Sequence, residues 1–358
     1  MFRDSVLLRR GIMFVAIFHL IAQLCYGLPK VLARTDTERD VVVYYLVQER
    51  VHHHEPIYLP MPSGPAFFDT RNPLYIYPPV LSSLFSLLPT ISFVTFARLW
   101  TVLAYTSFWI FSACLAKLAR GRATIANTLM AGLVLGLSPG TQRALSLGQI
   151  DPILWALFGI ALAIPSLRGT GTMAIAMVKL WGIWPLVAAL NDDRRAWRGG
   201  LLMLLSGIGV GILGMGPMEF YKSCQYWLSY VLPTISQGTW DADNRSLSFA
   251  LLRALKTAGV WHYESGKLPV WGKIWLISAG IGGPVIAWVC LRHRTIAVQM
   301  SAMGCAAILF GPICWTSYFP ILLTLLAALV GEKHFTRDNF DYLLRAEQEE
   351  KSQTVGGS

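Results

Sequence analysis

Long apolar runs recur along this chain, and short clusters of Lys and Arg separate them. A helix needs about 20 apolar residues to cross the hydrocarbon layer of a bilayer, and several of these runs reach that length. With 54% hydrophobic and only 14% charged residues, the chain has too few charges to cover a water-soluble fold. The pattern therefore predicts an all-α polytopic membrane protein and excludes water-soluble and disordered classes.

The net charge of +10 would suit a nucleic-acid partner if the basic residues formed one patch. They stand instead in short clusters between apolar runs, as in the cytoplasmic loops of membrane proteins. We therefore predict membrane lipid and no nucleic acid as a partner. The chain has six cysteines, mostly in apolar runs, and neighbouring histidines only at 52–54, so no metal and no disulfide framework is predicted. No nucleotide-binding motif occurs, and no cofactor is expected.

The basic clusters also predict the topology, because positive residues favour the cytoplasmic side. A first span at 11–30 follows Arg3, Arg9 and Arg10, which places the N-terminus in the cytoplasm. A large first outer loop at 31–77 and a second one at 217–270 are expected on the opposite side. Residues 1–331 are expected to form a single integral membrane domain in the cell membrane, and 332–358 a polar cytoplasmic tail.

Further spans are expected at 93–116, 123–137, 150–167, 199–215 and 271–291, with a final hairpin over 296–330. A segment at 78–88 is expected to dip into the membrane, and a loop to fill 139–149. The charge bias requires 170–190 to be a broken pair of helices, which leaves Lys179 at membrane depth. In all, we expect about eight crossings and two shorter elements, within a bundle of about 8–11 transmembrane or re-entrant helices.

Two residues are the first candidates for chemistry. Asp40 lies in the first outer loop, shortly after the first span. A partly desolvated carboxylate there is suited to act as a general base, and the alternative is an ordinary loop acid. Lys179 has no partner close to it in the sequence, and an intramembrane lysine of this kind indicates function. A phosphate is its natural counter-ion.

Other residues on the predicted outer side are weaker candidates. Arg143 and Arg245 are further cations for a phosphate, or else solvated loop residues. Gln149 and Asp151 open a helix whose N-terminus favours an anion or a hydroxyl-rich ligand, although Asp151 is equally suited to pair with the helix dipole. Five residues are candidates for contacts with a sugar: Tyr44, Tyr45, Tyr77, Asn244 and Trp315. The alternative is an aromatic belt at the membrane interface for the aromatic residues and a loop role for Asn244.

Taken in order, these residues resemble glycosyltransferase family 87, polytopic members of the GT-C superfamily. The resemblance rests on short pieces that extend over most of the chain: Asp40 with Tyr44 and Tyr45, Pro56 and Tyr58, Tyr77-Pro78-Pro79, Gly148-Gln149, Lys179 ahead of Pro185, Asn244-Arg245-Ser246-Leu247, and Pro312-Ile313-Cys314-Trp315. One departure stands out, because Ser317 occupies a position where this family commonly has a histidine. The spacing from Lys179 to Pro185 is also looser than usual.

The resemblance implies a GT-C-like helical bundle with a catalytic aspartate in the first outer loop, at Asp40. It also implies a polyprenyl-phosphate sugar as donor, commonly of mannose, and an inverting transfer to a lipid or glycan acceptor outside the cytoplasm. With Asp40 as the base, Lys179, together with Arg245 or Arg143, would stabilise the departing phosphate. Ser317 in place of histidine makes an altered donor, an altered acceptor or reduced activity more plausible.

Two other functions fit parts of the sequence. A lipid or solute transporter would use Lys179 to bind an anion and the broken segment as a gate, although no internal repeat is apparent. A non-catalytic protein that binds lipid-linked sugar would account for Ser317. Formation of a new glycosidic product distinguishes the enzyme from both.

Overall fold

The computed structural model describes residues 2–33, 40–58, 75–235, 244–260, 269–314 and 316–333. Throughout these residues the fold is all-α, as the sequence predicts. The helices in chain order are α1 (2–32, with a π turn at Gln23–Gly27), α2 (Val41–His52), α3 (Pro79–Ser86), α4 (Phe93–Arg120), α5 (Ile125–Gly136), α6 (Pro139–Leu147), α7 (Asp151–Ala163), α8 (Arg168–Ala176), α9 (Ile183–Asp192), α10 (Arg194–Met215), α11 (217–235, with a π turn at Trp227–Val231), α12 (Leu247–Thr257), α13 (Val270–Leu291), α14 (Ile296–Phe310) and α15 (322–333).

Among the described residues, four helices are long and apolar enough to cross a membrane: Arg10–Leu32 within α1, and the whole of α4, α10 and α13. Four further apolar helices are shorter, at Ile125–Gly136, Asp151–Ala163, Leu180–Asn191 and Ile296–Phe310. A helix of 13 residues such as α7 is only about 20 Å long, less than the ~30 Å of hydrocarbon. Of the eight crossings expected from the sequence, four correspond to the long helices, three to α5, α7 and α14, and the last to α15. The helix at Leu180–Asn191 belongs to the predicted broken pair.

The spanning helices differ in burial. In α4, 56% of the apolar window is buried inside the protein, whereas the corresponding windows of α1 and α13 are 6% and 11% buried. The buried face of α4 packs against α7 and α5, where Phe111 lies against Trp155 with ring centroids 6.2 Å apart. Because α4 and α7 form the centre of the bundle, the N-terminus of α7 is held by the best-packed part of the fold.

The predicted break in the segment 170–190 is present. Helix α8 ends at Ala176, Lys179 has an extended backbone with φ −139° and ψ 124°, and a 3-10 turn at Leu180–Gly182 leads into α9. The two arms pack closely, since a Cβ on Gly182 would lie 2.5 Å from the backbone nitrogen of Ala176. This hairpin leaves the Lys179 side chain in a gap between helices instead of on a regular helix face.

Two segments predicted as loops contain helices. Within 139–149, Pro139–Leu147 form α6, which has Pro139 in its first turn and is followed by Gly148 in the left-handed region, with φ 67°. The predicted second outer loop at 217–270 contains α11 and α12. The loop expected at 139–149 was wrong, because Pro139 starts a helix there and Gly148 ends it. The second outer loop was predicted as a side of the membrane, so helices within it leave that prediction as it stands.

Candidate active site

Lys179 is the centre of a buried polar cluster. Its Nζ lies 2.6 Å from Asp151 Oδ1 and donates a second hydrogen bond to the Tyr318 hydroxyl at 3.1 Å. The ammonium also lies 4.4 Å from the Tyr318 ring centroid and 5.7 Å from that of Tyr77, within cation–π range. As expected, Lys179 has no partner close to it in the sequence, but the fold supplies a counter-ion 28 positions earlier, at the start of α7.

Asp151 serves this cluster with both carboxylate oxygens. Oδ1 accepts a hydrogen bond from Lys179 Nζ, and Oδ2 accepts one from Ser317 Oγ at 3.0 Å. The Asp151 side chain is 5% exposed, and the Lys179 side chain is 12% exposed. This geometry favours a role for Asp151 beside Lys179 over the predicted sugar contact. Ser317, at the position where the resemblance leads to a histidine, supplies a hydroxyl donor to Asp151.

Tyrosines connect the cluster to α2. The hydroxyls of Tyr77 and Tyr44 lie 3.0 Å apart, and the Ile150 backbone N–H donates to the Tyr44 hydroxyl at 3.2 Å. Tyr44 is fully buried and also packs on Trp100, with ring centroids 4.8 Å apart. Tyr77 lines the cavity described below, whereas Tyr44 does not line it and contacts Tyr77 through its hydroxyl.

Asp40 lies on the α2 side of the same cluster. It takes the N-cap position of α2, but its carboxyl makes no capping bond to the helix and is hydrogen-bonded to the Gln149 side chain instead. Burial raises the pKa of the Asp40 carboxyl above its usual value, the negative charge of Asp151 adds to this effect, and Gln149 and the charges of Lys179 and Arg143 oppose it. A raised pKa suits a carboxylate that must accept a proton.

Gln149 completes this side of the site. Its Oε1 atom is buried and has no hydrogen-bond partner among the residues that the structure describes. An unsatisfied buried carbonyl oxygen is costly, so a hydroxyl donor from a ligand would be favourable here. Gly148, next to it, is held by a hydrogen bond from Trp100 Nε1 to its carbonyl oxygen at 2.8 Å.

An apolar cavity of about 340 Å³ opens beside Lys179. Helix α13 contributes Ile277, Gly280 and Ile281, and α14 contributes Ala307 and Ile308. Lys179, Tyr77 and Tyr318 supply the ammonium and the hydroxyl groups of its wall. Asp40 does not line the cavity, although its charge acts on Lys179. The site therefore combines an apolar chamber beside Lys179 with the Asp40 carboxyl, which lies outside the lining of that chamber.

Several predicted site residues lie elsewhere. Tyr45 packs on Phe93 and Phe96 of α4, with ring centroids 5.4 Å and 5.8 Å away, because it follows Tyr44 on the helix and points in another direction. Arg245 is exposed, and its backbone N–H bonds to the Cys314 carbonyl oxygen. Arg143, on α6, is also exposed, although its charge reaches Asp40.

The predicted sugar contact of Asn244 is not favoured by the structure. Its Oδ1 accepts hydrogen bonds from the backbone N–H groups of Ser246 and Cys314, and its Nδ2 donates to the Pro312 carbonyl oxygen. Asn244 therefore joins the start of α12 to the turn after α14, which is a structural role. Trp315 lies outside the described residues.

Two residues of the cluster were not assigned to it from the sequence. Tyr318 was not among the candidate residues, and Ser317 was noted only as a departure from the family pattern. The 3-10 turn at Thr316–Ile321 brings both beside Asp151 and Lys179. No spacing rule relates these positions, which lie 139 and 166 residues from their partners.

Comparisons with known proteins agree with the resemblance. No curated protein and no solved structure matches this chain. A family model described as glycosyltransferase family 87 matches residues 75–330, which include Tyr77, Asp151, Lys179 and Tyr318 but not Asp40. Since the match covers most of the chain, this membrane protein belongs to glycosyltransferase family 87 and is a glycosyltransferase.

Proposed function

We propose that this glycosyltransferase transfers a hexose, with mannose as the first candidate, from a polyprenyl-phosphate sugar to a lipid or glycan acceptor. The reaction would take place on the extracytoplasmic side of the cell membrane, with both chain termini in the cytoplasm. The observation that carries the proposal is the apolar cavity of about 340 Å³ that ends at the Lys179 ammonium. A donor of this class has matching parts, an apolar tail and an anionic phosphate.

Lys179 is the proposed contact for the donor phosphate. Its ammonium is bonded to Asp151 and Tyr318, and a lysine has three N–H donors, so one remains for a phosphate oxygen. A fixed cation in a water-poor site stabilises a departing phosphate by about 3–4 kcal/mol. Arg143 and Arg245 are exposed, which makes them weaker candidates for the same role.

Asp40 is the proposed general base. The acceptor hydroxyl oxygen attacks the anomeric carbon, the bond from that carbon to the phosphate oxygen breaks, and Asp40 takes the hydroxyl proton. Polyprenyl phosphate leaves with the bonding electron pair, beside Lys179. The charges of Asp40, Asp151 and Lys179 act on one another, which supports a single site for the proposed base and the proposed phosphate contact.

Gln149 and Tyr77 are the proposed contacts for the sugar or the acceptor. The unpartnered Oε1 of Gln149 lies next to the proposed base and accepts a hydroxyl hydrogen bond. Tyr77 presents its ring to the cavity beside Lys179. No nucleotide is needed in this reaction, because the donor carries its phosphate on the lipid.

The test is a transfer assay on the purified protein in lipid nanodiscs, with radiolabelled polyprenyl-phosphate mannose and other hexoses as donors. Asp40→Asn is expected to lower turnover by about 10²–10⁴-fold, the usual contribution of a general base. The matched control is Glu55→Gln, since Glu55 is an exposed acid in the same part of the chain and should leave turnover unchanged. Full turnover by Asp40→Asn would remove Asp40 from the mechanism.

The same assay separates the competing functions. In sealed vesicles, a transporter would move labelled donor between leaflets without forming a glycosidic product. A binding protein would retain the label without either result. Turnover with a nucleotide sugar alone would refute the proposed donor class.

A further inference from the structure

Asp151 makes the shortest contact of the cluster, yet the reaction proposed above gives it no step. Its carboxylate lies between Lys179 and Ser317, at 2.6 Å and 3.0 Å. Because both oxygens are already bonded to the protein, Asp151 is poorly placed to bind a sugar hydroxyl. We propose that Asp151 is a positioning residue that keeps Lys179 protonated and aimed into the cavity, ready for the donor phosphate. This inference rests on the proposed function.

The groups that face Lys179 come from several elements. Asp151 lies at the start of α7, Tyr318 in the turn after α14, and Tyr77 just before α3. Asp40, before α2, acts on Lys179 through its charge. Phenols titrate near pH 10, so the two tyrosines carry no charge at neutral pH and little at the upper end of the pH range used below. Asp151 is thus the only acid in direct contact with the ammonium among the residues that the structure describes.

Burial makes such a partner necessary. An ammonium that is removed from water without an opposite charge tends to lose its proton, and a neutral amine attracts a phosphate only weakly. An ionised carboxylate at 2.6 Å reverses that tendency. Ser317 holds the second carboxylate oxygen, so that the first one stays directed at Lys179.

The expected signature is a change in the pH dependence of phosphate binding. In the natural protein Lys179 stays charged, so the affinity for polyprenyl phosphate should be flat between about pH 7.5 and 9.5, well above the phosphate pKa of about 6. In Asp151→Asn the free site holds a neutral amine, and binding must first take up a proton. The affinity should then fall by about tenfold for each pH unit, because one proton accompanies each ligand.

The experiment measures binding of farnesyl phosphate to the purified full-length protein by calorimetry across this pH range. Asp151→Asn should bind with the sloping profile, and Asp151→Asn combined with Lys179→Arg should restore a flat one, since a guanidinium stays charged without a counter-ion. Circular dichroism and gel filtration establish that each variant is folded. A flat profile for Asp151→Asn would overturn the inference.

A second variant covers the case in which Asp151→Asn does not fold. Asp151→Glu keeps the negative charge but displaces the carboxylate from its place between Lys179 and Ser317. It should retain the flat binding profile while kcat falls by at least tenfold and KM for the donor changes little. Unchanged kcat in Asp151→Glu would overturn the positioning role.

The proposed function fails on a different result. Lys179→Met should weaken farnesyl phosphate binding at every pH if Lys179 contacts the phosphate. If Lys179→Met binds as tightly as the natural protein, the phosphate contact itself is wrong, and the inference about Asp151 falls with it. If Lys179→Met weakens binding while Asp151→Asn keeps a flat profile, only the role of Asp151 is refuted.

Discussion

The buried pair of Lys179 and Asp151 allows a quantitative prediction about stability. With Nζ 2.6 Å from Oδ1, the attraction is ~6 kcal/mol at an effective dielectric constant of about 20. Burial costs several kcal/mol for each ion, so the intact pair contributes little net stability. Removing one partner leaves the other either charged without compensation or, as proposed for Lys179 in Asp151→Asn, forced to give up its proton, and both outcomes cost stability. Asp151→Asn and Lys179→Met should therefore each lower the free energy of unfolding by about 3–5 kcal/mol.

The double variant should cost less than either single one, because it leaves no uncompensated ion. The free energy of unfolding can be measured by SDS titration in bicelles at pH 7, with tryptophan fluorescence as the signal. The coupling free energy of the cycle should reach several kcal/mol, bounded by the ~6 kcal/mol of the Coulomb attraction. Single effects that simply add, within about 0.5 kcal/mol, would refute the assignment of a desolvated pair.

A surface pair in the same protein provides the matched control. Lys222 Nζ lies 2.8 Å from Glu219 Oε1, nearly the same distance, but these side chains are 60% and 57% exposed. Exposed pairs typically contribute less than about 1 kcal/mol, because water screens the charges and the side chains lose entropy. The cycle on Lys222→Met and Glu219→Gln should give a coupling in that range. An equally large coupling here would mean that distance, not burial, sets the magnitude.

Three further variants test other parts of the structure. Gly280→Leu should raise KM for long-chain donors without lowering stability, because a Cβ there meets nothing closer than 3.8 Å and the side chain enters the cavity. The control Gly282→Leu, where a Cβ meets nothing within 4 Å, should leave this KM unchanged. Equal KM values for the two variants would exclude a donor tail from this cavity. Because the pKa of Asp40 is raised in the folded state, the unfolded chain ionises this carboxyl more easily than the folded protein does. The free energy of unfolding therefore falls as the pH rises from about 4, the usual value for Asp, through the folded-state pKa. Asp40→Asn should therefore unfold at a higher temperature than the natural protein at pH 7.5 but not at pH 3.5, and activity should decline on the acid side of the same pKa. Gly182→Ala should lower the free energy of unfolding by about 1–3 kcal/mol, since its Cβ would meet the α8 backbone at 2.5 Å, whereas Gly209→Ala, with nothing within 4 Å, should be neutral or stabilising.

Hydropathy and charge predicted most of the helices. The span expected at 93–116 is α4, and Ser92 caps it by accepting a hydrogen bond from the Thr95 backbone N–H at 3.4 Å. The break at Lys179 also followed from charge, since an unbroken helix would have placed the acidic and basic residues after it on the wrong side. Apolar runs and basic clusters are properties of consecutive residues, and consecutive residues are what a sequence displays directly.

The partners of Lys179 could not be predicted in this way. Hydropathy indicates which segments enter the membrane but not which helices become neighbours. From the sequence, Asp151 was equally suited to bind a ligand and to pair with the dipole at the start of its own helix. Asn244 illustrates the opposite error. A polar residue in a predicted outer loop suggested a ligand contact, whereas its amide replaces missing backbone hydrogen bonds in a turn that only the folded chain contains.

The neutral Lys179–Asp151 pair also bears on product release in the proposed reaction. The donor phosphodiester carries one negative charge, whereas the departing polyprenyl phosphate carries about 1.5–2 near pH 7. A lone buried ammonium would therefore hold the product more tightly than the donor and slow turnover. With Asp151 at 2.6 Å, part of the field of Lys179 is already cancelled, which reduces the difference between the two. In the proposed reaction Asp151 would thus keep Lys179 charged enough to bind the donor phosphate and would weaken the binding of the product.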